Sequence, residues 1–246
     1  VMTDNTQAPS RWLVISDLDG TLLDHHSYDL GAARPAIKRL QQANIPVVLN
    51  TSKTYHETLS IRKELAIDDA FIVENGSAIY LPASGLTVAP DGCERRDGFW
   101  EFICGRRQQE IASLLQALDI DDTACTRLSQ CSVDEAVALT GLNRQQAVQA
   151  IAREFSEPLL WHGDAASRSA FCDRVADSGY STLQGGRFLH VIGDCDKGRA
   201  VGHLQRLLGG NRRCLVLGDS PNDAAMLEIA DIAVIVRSPS SDQLRK

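Results

Sequence analysis

The chain contains 246 residues, of which 43% are hydrophobic and 23% are charged, and its formal net charge is −7. This composition is ordinary for a globular protein, and the length allows one large domain or two smaller ones. The acidic balance, which no basic stripe offsets, argues against nucleic acid as a partner, and no apolar run is long enough to span a bilayer. Residues 1–10 are polar and lack the pattern of a secretion signal.

Three buried strands are predicted in the first third of the chain, at 12–15, 47–49 and 70–73. Between them, apolar residues at helical spacing predict one helix over 33–40 and a second that ends near Leu65. Buried strands that alternate with helices are typical of a parallel sheet with helices on its faces. We therefore predict an α/β fold with a Rossmann-like parallel core sheet.

The middle of the chain has a different pattern, in which helical spacing alternates with short apolar stretches. Helices are predicted at about 105–118, 143–155 and 165–178. Asn143 and Gln146 resemble an N-cap and its capping-box partner. We predict an inserted α+β cap domain over 82–186, with residues 1–81 and 187–246 forming the catalytic core.

The strand and helix pattern returns near the end of the chain, with a helix over 198–208 and strands at 214–217 and 232–236. In sheets of this kind, ligands bind at the carboxyl ends of the strands. Polar residues that follow predicted strands are Asp17, Thr51, Glu74 and Asp219. Their expected convergence at one edge of the sheet predicts a functional site there.

Two carboxylates, Asp17 and Asp19, lie two residues apart in the sequence Asp-Leu-Asp-Gly-Thr. A carboxylate can act as a nucleophile and form a covalent intermediate, and phosphoryl transfer depends on positioning and charge neutralisation more than on a strong base. The second carboxyl can protonate the leaving oxygen and later take a proton from water. The alternative is an acidic loop in which Gly20 makes a turn.

A second acidic motif, Gly-Asp-Ser-Pro-Asn-Asp, occupies 218–223. Its Ser-Pro pair is typical of a helix start, and Asp223 has the capping-box position, so a structural role explains Asp223. That role does not explain Asp219, which follows a strand and faces Asp17. Carboxylates are the ligands that Mg²⁺ prefers, although Mn²⁺ also accepts such a site.

Two further residues are candidates for holding phosphate. Lys197 opens the helix over 198–208, where its charge can neutralise phosphate in the transition state. The alternative is a solvated surface lysine. The hydroxyl of Thr51 can donate to a phosphate oxygen, and the alternative is a helix N-cap.

These motifs, in this order, resemble those of the haloacid dehalogenase superfamily of phosphatases. The resemblance implies that Asp17 is the nucleophile and Asp19 the general acid/base, and that Thr51 and Lys197 bind phosphate. The implied Mg²⁺ ligands are Asp17, Asp19 through its main-chain carbonyl, and Asp219, with Asp223 as their support.

The superfamily also contains dehalogenases and mutases. Expelling a halide needs no proton donor whereas expelling an alkoxide does, so Asp19 favours hydrolysis of a phosphate ester. The position of the large insert after the third strand resembles the cap arrangement of the sugar-phosphate branch.

Several segments resemble one subgroup, the mannosyl-3-phosphoglycerate phosphatases, over nearly the whole chain. These segments are 51–54, 74–76, 140–142, 153–158 and 186–190. The resemblance implies that mannosyl-3-phosphoglycerate is hydrolysed to phosphate and mannosylglycerate, a compatible solute. Lys53 and Arg187 are candidates to pair with the glycerate carboxylate, and Asn75 is a candidate substrate contact. For each of the three, an ordinary solvated or turn residue is the alternative.

Other substrates and one other class of function stay open. A broader sugar-phosphate, nucleotide or glucosyl-3-phosphoglycerate phosphatase fits the same core motifs. A catalytically silent sensor of phosphorylated metabolites is the alternative from another class, against which the presence of every candidate catalytic residue argues. Relatives usually continue beyond 238–239 into a final helix, so we expect a further C-terminal segment.

The seven scattered cysteines contain no C-x-x-C pair. Their odd number and their spacing argue against a disulfide framework and a zinc site. Reduced thiols are the better interpretation, so we expect a cytoplasmic protein. It is expected to be a monomer or homodimer whose partner is a small phosphorylated metabolite.

Overall fold

The computed structural model describes residues 10–24, 29–84, 86, 88–120, 123–210 and 212–245. The prediction for residues 1–10 concerns a segment that lies, except for Ser10, outside the described residues. Across the described ranges, no helix combines the length and the apolar character that a membrane crossing requires. None of the seven cysteines, all of which are described, forms a disulfide.

Strands and helices alternate at both ends of the chain, as the hydrophobic periodicity predicts. The strands are β1 (Trp12–Ser16), β2 (Val47–Asn50), β3 (Phe71–Val73), β4 (Ala78–Pro82), β5 (Glu94–Arg96), β6 (Phe99–Ile103), β7 (Cys125–Arg127), β8 (Ser156–Trp161), β9 (Tyr180–Gly185), β10 (Phe188–Gly193), β11 (Arg213–Gly218) and β12 (Ile232–Ile235). The helices are α1 (Arg34–Gln42), α2 (Tyr55–Leu65), α3 (Gln108–Ala117), α4 (Val133–Thr140), α5 (Arg144–Ile151), α6 (Ala165–Asp177), α7 (Lys197–Leu207) and α8 (Ala224–Glu228).

The larger of two sheets has the strand order β12-β11-β1-β2-β3-β4-β6-β5. From β12 to β3 the neighbouring strands are parallel, and β4, β6 and β5 extend the sheet in antiparallel fashion. The predicted α/β fold with a parallel core sheet is confirmed. Because β1 lies between β2 and β11, its carboxyl end has a neighbour on each side.

Alternate residues of β1 are buried on opposite faces of this sheet, as expected for a strand that is covered on both sides. Val14 packs in a cluster with Ile37 of α1 and Leu65 of α2. Leu13 packs in a second cluster with Val201 of α7. Burial of each such side chain stabilises the fold by about 1.5–3 kcal/mol. This packing fixes the ends of the parallel strands relative to one another.

The second sheet is antiparallel and has the strand order β7-β8-β10-β9. Helices α3 and α6 cover one of its faces, where Ile111 and Phe171 pack with Val191 of β10. Helices α4 and α5 pack together through Ala136 and Ala147. The opposite face of the sheet is left to contribute to a cavity, described below.

The chain passes from the larger sheet to the second sheet after β6 and returns after β10. By sheet membership, residues 94–103 belong with the core and residues 188–193 with the second sheet, whereas the sequence placed the domain junctions at 82 and 186. The division into core and cap stays a prediction, and these memberships favour junctions near 104 and 194.

The two connections between the sheets lie in contact with each other. A Cβ atom on Gly193 would come within 2.6 Å of the main-chain nitrogen of Arg106 and 2.8 Å of the carbonyl carbon of Gly105. Only a residue without a side chain permits this approach. The chain therefore leaves the core and re-enters it at one place.

Candidate active site

The parallel strands of the core sheet end side by side at one edge. The main-chain nitrogen of Asp17 donates to the carbonyl of Leu217 at 3.0 Å, and that of Thr51 donates to the carbonyl of Ile72 at 3.1 Å. These bonds extend the strand pairings by one residue. The structure thereby brings Asp17, Thr51 and Asp219 to the same edge, where ligands of such sheets bind.

Lys197 is completely buried at the start of α7, which Asp196 caps by accepting a hydrogen bond from the main-chain nitrogen of Arg199 at 2.7 Å. Its Nζ donates to Oδ1 of Asp17 at 2.6 Å and to Oδ1 of Asp223 at 2.7 Å. Burial alone favours a neutral amine, but the two carboxylates raise the pKa of Lys197 above its ordinary value. Lys197 is therefore a buried cation and not a solvated surface lysine.

Asp17 is nearly inaccessible to solvent, with 5% of its surface exposed. Burial raises the pKa of Asp17 to about 7, and the Lys197 ammonium opposes that rise. A carboxylate in this position is poorly hydrated and held in one place by its hydrogen bond. Both properties suit a nucleophile for an anionic substrate, provided that further positive charge is supplied.

Three buried carboxylates have the chemistry and spacing of a metal site. Asp17, Asp219 and Asp223 each offer an oxygen within 4.8 Å of the others. Burial also raises the pKa of Asp219. Hard cations such as Mg²⁺ bind carboxylate oxygens of this kind, so the donor set fits the implied ion.

Asp223 has the capping role predicted for it and also contacts Lys197. Its Oδ2 accepts from the main-chain nitrogens of Asp219 at 2.9 Å and Ser220 at 3.1 Å, which is the capping-box arrangement predicted for it. Its Oδ1 binds Lys197. The side chain therefore fixes the loop that carries Asp219 and also contributes charge to the site.

Gly20 lets two acidic segments approach each other. Its φ is +80°, and a Cβ there would overlap the carboxylate of Asp219. A residue with a side chain is disfavoured at this φ, so the glycine is needed on two counts. Thr21 next to it donates to Oδ1 of Asp219 at 3.4 Å.

Asp19 lies close to Asp17 but is more exposed. Its Oδ1 is 2.9 Å from Nζ of Lys53. Thr51 is fully buried, and it is not the N-cap of α2, because Thr54 and Glu57 form the capping box of that helix. The Thr51 hydroxyl accepts from the main-chain nitrogen of Lys53 at 3.1 Å, which leaves its own hydrogen available to donate at the strand end.

A cavity of about 650 Å³ opens at this edge of the core sheet. Its core side is lined by Asp17, Asp19, Lys53 and Asp219, and its other side by residues of the second sheet and of the α4–α5 region. The residues that the second sheet contributes include Pro158, Leu183, Phe188 and His190. The cavity is therefore enclosed by both sheets and is larger than a phosphate ion needs.

Of the three candidate substrate contacts, only Lys53 lines this cavity. Asn75 is buried and accepts a hydrogen bond from Nδ2 of Asn222 at 3.1 Å. Arg187 is exposed between β9 and β10 and is not among the lining residues. The structure thus brings Lys53 to the site, and it places Asn75 behind the site and Arg187 outside it.

Two further residues, Arg153 and His190, line the cavity. Nη1 of Arg153 donates to the carbonyl of Ser52 at 3.0 Å and to Oγ of Ser156 at 3.1 Å. Among the described residues, Nε of Arg153 and Nδ1 of His190 have no hydrogen-bond partner. Burial, reinforced by the Arg153 charge, lowers the pKa of His190 to about 3, so its imidazole is neutral.

A single arginine or histidine carries no local pattern, so the sequence alone assigned no role to Arg153 and made His190 only a weak candidate for a substrate contact. Arg153 and His190 do fall inside two of the segments, 153–158 and 186–190, that carry the subgroup resemblance. That coincidence is the signal by which they were identifiable.

Mg²⁺ is expected to stabilise the protein through the three carboxylates. At a concentration of 100 times its dissociation constant, the ion should raise the free energy of unfolding by about 2.7 kcal/mol. The Asp219→Asn variant should lose most of this gain, which urea unfolding with and without Mg²⁺ would measure. Asp194→Asn, at an exposed carboxylate that pairs with Arg199, is the control. Equal stabilisation of both variants would contradict the site.

A sequence profile of the haloacid dehalogenase-like hydrolases matches residues 14–91 and 168–244. Solved structures with similar folds include the following three. A haloacid dehalogenase-like hydrolase from B. subtilis is 17% identical, with 95% of this chain and 91% of that chain covered and a TM-score of 0.66. The sucrose-phosphatase of Synechocystis, in complex with sucrose and phosphate, is 18% identical, with coverage of 96% and 86% and a TM-score of 0.64. A Bacteroides thetaiotaomicron protein, analysed among phosphatases of the haloalkanoate enzyme superfamily, is 16% identical, with coverage of 98% and 90% and a TM-score of 0.68.

Proposed function

The chain belongs to the haloacid dehalogenase-like hydrolases, and from this membership we propose that it is a Mg²⁺-dependent phosphatase with Asp17 as its nucleophile. The observation that carries the proposal is the buried contact between Asp17 and Lys197 beside Asp219 and Asp223. A nucleophilic carboxylate, a fixed cation and a metal-binding set at one strand edge are what phosphoryl transfer requires.

In the first half-reaction, an oxygen of Asp17 forms a bond to phosphorus as the bond to the leaving oxygen breaks. The side chain of Asp19, which lines the same cavity, gives its proton to that leaving oxygen. Lys197 and Thr51 hold the phosphate oxygens. The products are a phospho-aspartate at Asp17 and the free alcohol.

In the second half-reaction, water attacks the phosphorus of the phospho-aspartate. Asp19, now ionised, takes the proton of that water, and the bond between phosphorus and Asp17 breaks. Inorganic phosphate leaves, and Asp17 and Asp19 return to their starting states. A bound Mg²⁺ supplies positive charge that offsets the repulsion between the carboxylate and the phosphate.

Mannosyl-3-phosphoglycerate is the substrate that we propose. The cap segments of the sequence support it, since they resemble the phosphatases of that ester. The cavity leaves room for a leaving group of sugar size, and Lys53 and Arg153 supply cations along its wall. The similarity in fold to a sucrose-phosphatase also favours the wider class of sugar phosphates, including glucosyl-3-phosphoglycerate.

Phosphate release from a panel of esters, each with Mg²⁺, tests both the phosphatase activity and the choice of substrate. The panel contains mannosyl- and glucosyl-3-phosphoglycerate, hexose 6-phosphates, nucleoside monophosphates and p-nitrophenyl phosphate. We expect kcat/KM for mannosyl-3-phosphoglycerate to exceed that for hexose 6-phosphates by about 100-fold or more, because two or more additional polar contacts are made. Equal rates across the panel would mean that the protein is a phosphatase with no preference for mannosyl-3-phosphoglycerate. No release from any ester would favour the sensor hypothesis.

A further inference from the structure

Three consecutive residues after β3 have backbone conformations that are rare for residues with side chains. Glu74, Asn75 and Gly76 have φ values of +47°, +60° and +92°. Such conformations persist only where the surroundings impose them, and they concentrate at functional sites. At Gly76 the reason is steric, because a Cβ would overlap the carbonyl of Asp196. We call residues 74–76 the junction tripeptide.

The side chain of Glu74 binds the segment that leads into β8 of the second sheet. Its fully buried carboxylate accepts from the main-chain nitrogens of Glu154 at 2.9 Å and Phe155 at 3.2 Å, and also from Oγ of Ser156. The guanidinium of Arg153 lies 3.8 Å away. One carboxylate of the core therefore holds four successive residues that lead into β8, including a residue that lines the cavity.

The other contacts of the junction tripeptide reach the loops of the proposed active site. The main-chain nitrogen of Glu74 donates to the carbonyl of Lys53 at 3.0 Å, and that of Asn75 to the carbonyl of Thr51 at 2.9 Å. The side-chain oxygen of Asn75 accepts from Asn222, in the loop between Asp219 and Asp223. Gly76 packs on Asp196, which immediately precedes Lys197.

We propose that the junction tripeptide is a positioning element that holds the second sheet and the loops of the proposed active site in a fixed position relative to each other. Glu74 positions the wall of the cavity that meets the leaving group, and Asn75 positions the loop that carries the metal ligands. This role rests on the proposed phosphatase function. Neither side chain lines the cavity, so both act through the residues that they hold.

The two side chains should affect different measurements. Glu74→Gln keeps the shape of the side chain but turns an amide NH₂ towards N–H donors, so the segment 153–156 loosens and with it the cavity wall at Arg153. We expect kcat/KM for mannosyl-3-phosphoglycerate to fall about 10- to 100-fold, the effect of lost charge-assisted hydrogen bonds. For p-nitrophenyl phosphate, which does not need that wall, we expect a change of less than about 3-fold.

Asp69→Asn is the matched control for this variant. Asp69 is a half-buried carboxylate that accepts from the main-chain nitrogen of Val47 at 2.8 Å, at the start of β2 and therefore at the opposite edge of the core sheet. Its replacement should lower stability and leave the ratio of the two kcat/KM values unchanged. If Glu74→Gln lowers both values by the same factor, or if Asp69→Asn shifts the ratio equally, Glu74 has a structural role only.

Asn75→Ala should raise the Mg²⁺ concentration for half-maximal binding by about 3- to 10-fold, because one neutral hydrogen bond to the metal loop is lost. Asn222→Ala also removes the bond that the Ser220 hydroxyl donates to Asn222 at 2.5 Å, so it should weaken binding at least as much, and the double variant no more than Asn222→Ala alone. Glu74→Gln should leave Mg²⁺ affinity unchanged. Additive effects of the two asparagine variants, or equal weakening by Glu74→Gln, would overturn this assignment.

Two of these measurements do not depend on turnover. Calorimetry reports Mg²⁺ affinity directly, and hydrogen exchange reports the amides of Glu154 and Phe155, which should exchange faster in Glu74→Gln and not in Asp69→Asn. If the wild-type protein hydrolyses no ester, the phosphatase proposal fails while these readouts still decide the positioning role. Unchanged exchange in Glu74→Gln would overturn the positioning role alone.

Discussion

Replacing Asp17 by asparagine is expected to lower kcat for phosphate release on the order of 10⁴-fold. The neutral amide is a poor nucleophile for phosphorus, although it has nearly the same shape and can still accept the hydrogen bond from Lys197. The measurement is phosphate release at saturating Mg²⁺ from the best ester of the panel. Intact-protein mass spectrometry of the quenched wild-type enzyme should also detect the phospho-aspartate, and the variant should lack it.

Asp19→Asn is the informative comparison, because it removes proton transfer and keeps the nucleophile. Its rate should fall strongly for alkyl esters, whose leaving alkoxides need a proton, and much less for p-nitrophenyl phosphate, whose leaving group does not. Asp17→Asn should lose activity towards both kinds of ester. Substantial turnover by Asp17→Asn would show that the nucleophile is another group, such as water.

Replacing Lys197 by methionine should have the largest effect on stability. The substitution leaves the buried carboxylates of Asp17 and Asp223 without their shared cation, and removing one partner from a buried ion pair costs about 3–5 kcal/mol. The free energy of unfolding in urea, measured without Mg²⁺, should fall by that amount. The loss of charge stabilisation should also lower kcat by about 10²- to 10³-fold.

The control for Lys197→Met is Arg199→Met, two residues along the same helix. Arg199 pairs with Asp194 at 2.6 Å, but both side chains are more than half exposed, and exposed pairs contribute about 1 kcal/mol or less. Added Mg²⁺ should restore part of the stability of Lys197→Met, because it returns positive charge to the carboxylates. A variant as stable as wild type would mean that those carboxylates are not ionised in the metal-free protein.

The core sheet and the edge where the site lies were predictable from the sequence, because buried parallel strands have a simple sequence pattern. Each is a short apolar run with a polar residue after it, and parallel strands necessarily end at the same edge. Asp17, Thr51 and Asp219 were therefore placed together by topology alone. The local caps were also readable, since Asn143 with Gln146 forms the predicted capping box.

The remainder depends on contacts between distant segments, which local patterns do not record. Strands β5 and β6 extend the core sheet, but a short charged segment such as 94–96 does not indicate which sheet it joins. Helix α4 was not predicted, although Ser132 and Glu135 form a capping box at its start. The burial of Lys197 follows from two carboxylates in other segments, and the position of Arg153 from a bond to the core.

The contact between Gly105 and Gly193 bears on how such an architecture can change over evolution. The segment between Gly105 and Gly193 closes its own loop because its two ends touch, so its length adds little conformational entropy cost to the core sheet. Segments can be lengthened, shortened or exchanged within it while the host strands keep their register, as is common where domains are inserted at adjacent termini. The contact at Gly193 is constrained, because a methyl group added there would push the two connections between the sheets apart.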